Sequence, residues 1–402
     1  MSPGNYFDGD SPLRTQIDAL EATAEQQRGS ITEREYRHAM ATVASAKMDW
    51  GRATGLWEAI LAEAPNDVHA LKMAFFTYFY GGRRDELFAM VERAYKAQER
   101  EDKYRAGVHW SLMHAQYGFV LQEADRFKEA EVYVRRGLAA DRRDGWAAHS
   151  MAHICEMSGR FEEGARFLDQ EEEGGWARAN HLASHNHWHR GLFHLALGEW
   201  EGALGVFDRH LEPNFTSNRA LYGLADASSL LQRMLFVLPE NRSSSFEACD
   251  VEKRFKAVFE VARDHLDGHD LGYTDAHLVM AALGSGHPAE AAQVVEGLTG
   301  SKLAELHPKL ATLTERLCSA LVDYSREQYE KAAETMESIR REHWAIGGSN
   351  AQRDVFNQLH LAAAVRSGRA EHKRVLKELT EEREALAEGD KWLLRKVVVR
   401  EG

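Results

Sequence analysis

Apolar residues recur along most of this chain at intervals of three and four, the spacing of one face of an α-helix, and no convincing run of alternating β-branched residues interrupts them. A longer period lies over the first. In most copies a glycine, then an aromatic or apolar residue, then a small residue opens a new helical stripe. The motif reads Gly51-Arg-Ala53 with Trp57, Ile60 and Pro65, then Arg126-Phe127 to Ala130 with Tyr133 and Leu138, then Gly159-Arg-Phe161 to Gly164. It returns as Gly198-Glu-Trp200 to Ala203 with Phe207, as Gly286 to Ala291, and as Gln328-Tyr329 to Ala332. Ala130 to Gly164 is 34 residues and Gly164 to Ala203 is 39. Those are lengths of a helix–turn–helix unit with variable loops, in which the small residue lets two helices approach closely.

The spacings predict an all-α fold, a tetratricopeptide-like helical-repeat array, that is, an α-solenoid of antiparallel helix pairs. Start signals agree. Ser11-Pro12 offers an N-cap followed by proline at the first helical position, and Thr32 with Glu35 and Ser349 with Gln352 read as capping boxes. Leu238-Pro239 through Ser245 is the clearest polar break, short enough for a loop. It divides the chain into N-terminal repeats, 1–238, and C-terminal repeats, 246–402, packing on the same array.

Composition works mainly by exclusion. Seven prolines in 402 residues suit long helices, and 44% hydrophobic content supports a substantial core. The formal charge of −13 repels a phosphate backbone, so nucleic acid is not an expected partner. Cys155, Cys249 and Cys318 are odd in number and far apart, which argues against disulfides and thiolate zinc sites and for small core residues. No apolar run has membrane-spanning length, and the opening MSPGNYFDGDSPLR lacks the marks of a secretory signal; a cytoplasmic location away from membranes is expected. Phosphate-cradling glycine loops, serine elbows, Cys/His nucleophile patterns and HExxH are all missing.

The chemistry that remains is histidine. There are 20. His149 and His153 are four apart, as are His185 and His189, which puts each pair on one helical face; His187 points about 200° from His185 and falls outside. His153 lies 11 residues before Gly164, while His189 and His277 lie 14 before Ala203 and Ala291. A difference of three is about one turn, so these side chains are expected on the concave face, where His149, His153, His185, His189 and His277 converge. Neutral imidazoles there can ligate zinc or another divalent transition metal, with His149, His153, His185 and His189 as the set and Glu156 or Asp275 as an oxygen ligand or supporting partner. Equally, they can form a metal-free acid/base pair. A single such histidine ordinarily just bonds a nearby carboxylate or carbonyl.

Gly347 to Asn357 is unusually polar for a helix start. Arg353 with Asn350 can hold an anionic or polar substrate there, or Ser349 simply caps the helix and Arg353 pairs with a nearby acid. Asp354 and Trp188 are counted with that wall, although aromatics such as Trp188 and the Phe75–Tyr80 run are ordinarily core. Glu171–Glu173 reads as a helix end.

Leu56-Trp57, Trp146 to Met157, His185-Asn-His-Trp-His189, Asp275-Ala-His277 and the dodecamer Gly347 to Gln358 together resemble the tetratricopeptide repeat protein 38 family, from about residue 30 to the C-terminus. The resemblance implies a soluble helical-repeat fold and carries no assigned reaction. It adds Asn186, Asp226, Ser229 and Arg233 to the positions that match, and the N-terminus is shorter than in typical members. Two functions follow as expectations. One is a small-molecule site, possible metal included, in a cavity closed by the C-terminal helices; the other is a protein-interaction scaffold with an open groove.

Overall fold

The computed structural model describes residues 6–7, 11–105, 108–177, 182–218, 221–237, 246 and 249–386. Among these residues there are helices and turns and no strand. The N-terminal helices are α1 (Pro12–Gln26), α2 (Glu33–Ala46), α3 (Trp50–Glu63), α4 (Val68–Tyr80), α5 (Arg84–Glu99), α6 (Val108–Glu123) and α7 (Phe127–Ala140). Next come α8 (Gly145–Met157), α9 (Phe161–Glu171), α10 (Ala183–Leu197), α11 (Trp200–Val206), α12 (Glu212–Asn218) and α13 (Leu221–Leu235). The rest are α14 (Val251–Ala262), α15 (Gly272–Gly284), α16 (Pro288–Leu298), α17 (Lys302–Leu306), α18 (Pro308–Ser325), α19 (Tyr329–Ile339), α20 (Asn350–Ser367) and α21 (Ala370–Leu386).

The caps read from the sequence are present. The Ser11 hydroxyl accepts from the Leu13 amide, and both capping boxes, Thr32/Glu35 and Ser349/Gln352, form in full. The polar break at Leu238–Ser245 lies outside the described residues. Successive helices pack as antiparallel pairs, and the small residues of the repeat motif sit in the contacts: Ala53, Ala130, Ala203, Ala291 and Ala332 have no exposed surface. At Gly164 a Cβ would run into the Phe193 ring and Cys155, so the α9 contact needs glycine. Cys155 and Cys318 are buried, Cys249 half-buried, and all three are free. No helix among the described residues is long and apolar enough to cross a membrane.

Two large apolar clusters, one spanning Ala41 to Ala196 and one Trp188 to Leu379, meet at α10. The array also closes on itself. Met48 and Trp50 pack with Leu298, Leu303 and Ala311, the Trp50 indole stacks 4.0 Å from the His307 ring, and His307 Nε2 donates to the Met48 carbonyl at 3.0 Å. Higher up, Gly82 and Gly347, both at positive φ, let the α4 end pass the 345–347 loop so closely that any Cβ would strike backbone. Helix α20 then packs against both α8 and α13. Its insertion turns a groove into an interior.

Candidate functional site

Helix α8 is buried from its first turn to Glu156, and α10 is buried along most of its length, because α6, α13 and α20 cover them. A helix covered all round is expected to be apolar all round. These two instead carry four histidines inward. His149, His153, His185 and His189 are all buried, and one nitrogen from each ring lies within 4.8 Å of the others; among the described residues this is the one group of three or more His, Cys, Asp or Glu that converges in this way.

Two of the four rings are oriented from behind by a hydrogen-bonded carboxylate. His185 Nδ1 lies 2.8 Å from Asp226 Oδ2 of α13, and His189 Nδ1 lies 2.7 Å from Glu156 Oε2 of α8. His153 Nδ1 faces Glu123 of α6 at 4.0 Å. A carboxylate on Nδ1 selects the Nδ1–H tautomer and leaves Nε2 with its lone pair. Accordingly, His189 Nε2 is buried without a hydrogen-bond partner, whereas His149 and His153 share one hydrogen bond between their Nε2 atoms at 2.8 Å, one ring donating and the other accepting. Burial, joined by neighbouring imidazoles and arginine charge, holds His153 and His189 well below the usual histidine pKa, so both are neutral at pH 7. Burial raises the carboxyls of Glu123 and Asp226, opposed by Arg353 and His185 respectively.

A tetrahedral zinc centre with bonds near 2.1 Å needs donor nitrogens about 3.4 Å apart. The observed set lies within 4.8 Å of one another, wider than that spacing, and the carboxylates on His185 and His189 are the kind a metal-bound histidine uses. In donor type and backing, the four histidines fit a divalent transition metal.

The other predicted residues divide. Trp188 is fully buried and stacks on His185 at 4.9 Å, with the Arg233 guanidinium 5.6 Å from its ring, so it backs the site from the core. The Asn350 amide donates to both oxygens of Glu123, and Arg353 reaches Glu123 at 3.5 Å and Asn350 Oδ1 at 2.7 Å. Thus Ser349 caps and Arg353 pairs with an acid, the plainer of the two readings, although that acid lies beside His153. Asp354 accepts from Gln358 and shares with Glu156 the wall of a cavity of about 350 Å³ that also includes Asn357, Arg341 and His343.

His277 and Asp275 do not join the four. Helix α13 stands between α10 and α15; His277 Nδ1 donates to the Tyr273 carbonyl at 2.6 Å, and Asp275 pairs with His269 at 3.2 Å. His187 faces away, stacked 3.5 Å from His210. Sequence reasoning missed Glu123, and the repeat period would have found it: Glu123, Glu156 and His189 stand 33 residues apart in succession.

No family model matches the chain. Among solved structures it is similar to the crystal structure of the P58(IPK) TPR domain, with 12% identity and a TM-score of 0.23 over 91% of this chain and 95% of that one. A likeness of that size carries no functional argument.

Proposed function

We propose that the four histidines hold a divalent transition metal, and that this centre binds and transforms a small polar molecule inside the closed array. The observation that carries the reading is the pairing of His185 with Asp226 and of His189 with Glu156, which leaves a buried Nε2 of His189 with nothing to bond. Leaving such an atom unsatisfied costs about 1–3 kcal/mol unless a ligand takes it. Asp226 and Glu156 hold the Nδ1 protons, and burial keeps His153 and His189 uncharged, the form that ligates. Four imidazoles fill a tetrahedral cation, so a substrate or water oxygen would have to enter as a fifth ligand or in place of one ring, and the cation would then polarise it. Arg353 and Asn350 keep Glu123 anchored beside His153. We also read the chain as a cytoplasmic relative of the tetratricopeptide repeat protein 38 family, on the Gly347–Gln358 segment and the histidine helices.

Elemental analysis of the purified chain after loading with Zn²⁺ and dialysis against metal-free buffer tests this. Close to one ion per chain is expected. Less than about a tenth of an equivalent, with a fold that stays intact, removes the metal centre and leaves an interaction scaffold as the better account.

A further inference from the structure

The four histidines are not backed alike. His185 and His189 each meet a carboxylate in a direct hydrogen bond, Asp226 at 2.8 Å and Glu156 at 2.7 Å. For His153 the acid stands off: Glu123 Oε1 is 4.0 Å from its Nδ1, and that nitrogen is buried without a hydrogen-bond partner. By the repeat, the two acids are counterparts. Glu123 ends α6, Glu156 lies 33 residues later in the last turn of α8, and each faces a histidine of the next inner helix, His153 on α8 and His189 on α10.

Glu123 accepts from three other donors. Its Oε1 takes the Gln122 side-chain amide at 2.7 Å, the Asn350 backbone N–H is shared between Oε1 at 3.0 Å and Oε2 at 2.9 Å, and the Arg353 guanidinium reaches Oε2 at 3.5 Å. An N–H on His153 Nδ1 would be drawn to this carboxylate, since a charge-assisted hydrogen bond is roughly twice as strong as a neutral one. A lone pair there is held off, as the 4.0 Å gap shows. The far side of the ring agrees: His153 and His149 share a single N–H between their Nε2 atoms at 2.8 Å. With that proton on His153 Nε2, a neutral imidazole has none left for Nδ1.

That shared proton sits where a cation needs lone pairs. Ligation by all four rings uses Nε2 of both His149 and His153, so the proton between them has to leave. We infer that Glu123 is a positioning residue of the loaded centre: once His153 Nε2 gives up its proton to ligate, the ring's N–H forms at Nδ1 instead and Glu123 accepts it, placing a carboxylate behind a third histidine. One proton is lost at Nε2 and one gained at Nδ1, so the ring stays neutral. The acceptor has room, because the shared Asn350 N–H can rest on Oε2 alone and free Oε1. Through that amide the start of α20 responds to whether the centre is filled. This role deepens the proposed function and rests on the four histidines being the metal site.

Nitrogen-15 NMR of the full chain labelled at histidine is the test, since protonated and unprotonated ring nitrogens differ widely in chemical shift. In metal-free protein the His153 ring, assigned by its absence from His153→Ala, should carry its proton on Nε2; after Zn²⁺ loading the proton should be on Nδ1. Glu123→Gln should weaken zinc about 10- to 100-fold in chelator competition while the metal-free tautomer of His153 and the helicity stay as in wild type. If that variant fails to fold, the wild-type spectra decide alone. A His153 Nδ1 already protonated before loading, an Nδ1 still bare after one equivalent of zinc is taken up, or zinc held equally by wild type and Glu123→Gln overturns the role of Glu123 and leaves the metal centre standing. A wild-type chain that takes up no zinc removes the centre and this role together.

Discussion

Two groups of histidines occupy this interior, and they are built differently. At the seam of α19, α20 and α21, His360 lies in the fields of His343 and His372, and it is as buried as the central four. Their nitrogens, however, disperse. His343 Nδ1 donates to the Arg340 carbonyl at 2.8 Å, His372 Nδ1 meets the Ser367 hydroxyl at 2.6 Å, and His360 Nε2 lies 3.7 Å from Glu337. Arg340, bridged to Glu378 and Glu382, puts a positive charge among them. In the centre, carboxylates stand behind His185 and His189, and one nitrogen from each of the four rings converges on the others. Histidine density and burial are thus shared, and only the direction set from behind separates a ligand set from packing.

The comparison breaks most severely if the central nitrogens are removed. His153→Ala with His189→Ala should abolish zinc retention while the helical circular dichroism signal persists; a double variant that still holds one equivalent would show that the ion sits elsewhere. Removing only the backing is the next test. Glu156→Gln and Asp226→Asn should each weaken zinc about 10- to 100-fold in competition with a chromogenic chelator, because the amide no longer fixes the tautomer. If the seam supplied the metal site, neither change would matter.

The repeat architecture was legible because close helix contacts demand small residues, and Ala130, Gly164 and Ala203 recur at the required period. The spacing of His185, His187 and His189 told inside from outside on α10, since a helix rotates about 100° per residue. The register failed at His277. Periodicity gives the face of a helix but not which helices are neighbours, and α13 comes between α10 and α15. Nor can local pattern show the closure at Trp50 and His307, or that Asn350 and Arg353 meet Glu123 across 227 and 230 residues.

The seam has its own signature. Burial first, then the charges of Arg340, His343 and His372, push His360 down to about 3. A folded pKa below the unfolded value of about 6.5 means that the unfolded chain binds the proton first. Its stability contribution is therefore complete above pH 6.5 and declines as the pH falls towards 3. His360→Gln should lessen the loss between pH 7 and pH 5 by about 1–2 kcal/mol, read from urea midpoints at the two values. Identical pH sensitivity in wild type and variant would mean that His360 is not neutral in the fold.

The smallest effect is the sharpest control. His187 is 5% exposed, sits on α10 between two members of the centre, and packs against Trp176 at 5.0 Å and His210 at 3.5 Å. By sequence position and burial it belongs with the four; by direction it does not, since the carboxylate it meets is Glu172, at 3.8 Å from its Nε2. Its Nδ1 is buried without a partner, so a phenyl ring loses no hydrogen bond there while keeping the stack. His187→Phe should hold zinc within about twofold of wild type and change stability by less than about 1 kcal/mol. A variant that folds normally yet loses its zinc would mean that the packing of α10, rather than the carboxylates behind His185 and His189, sets the centre.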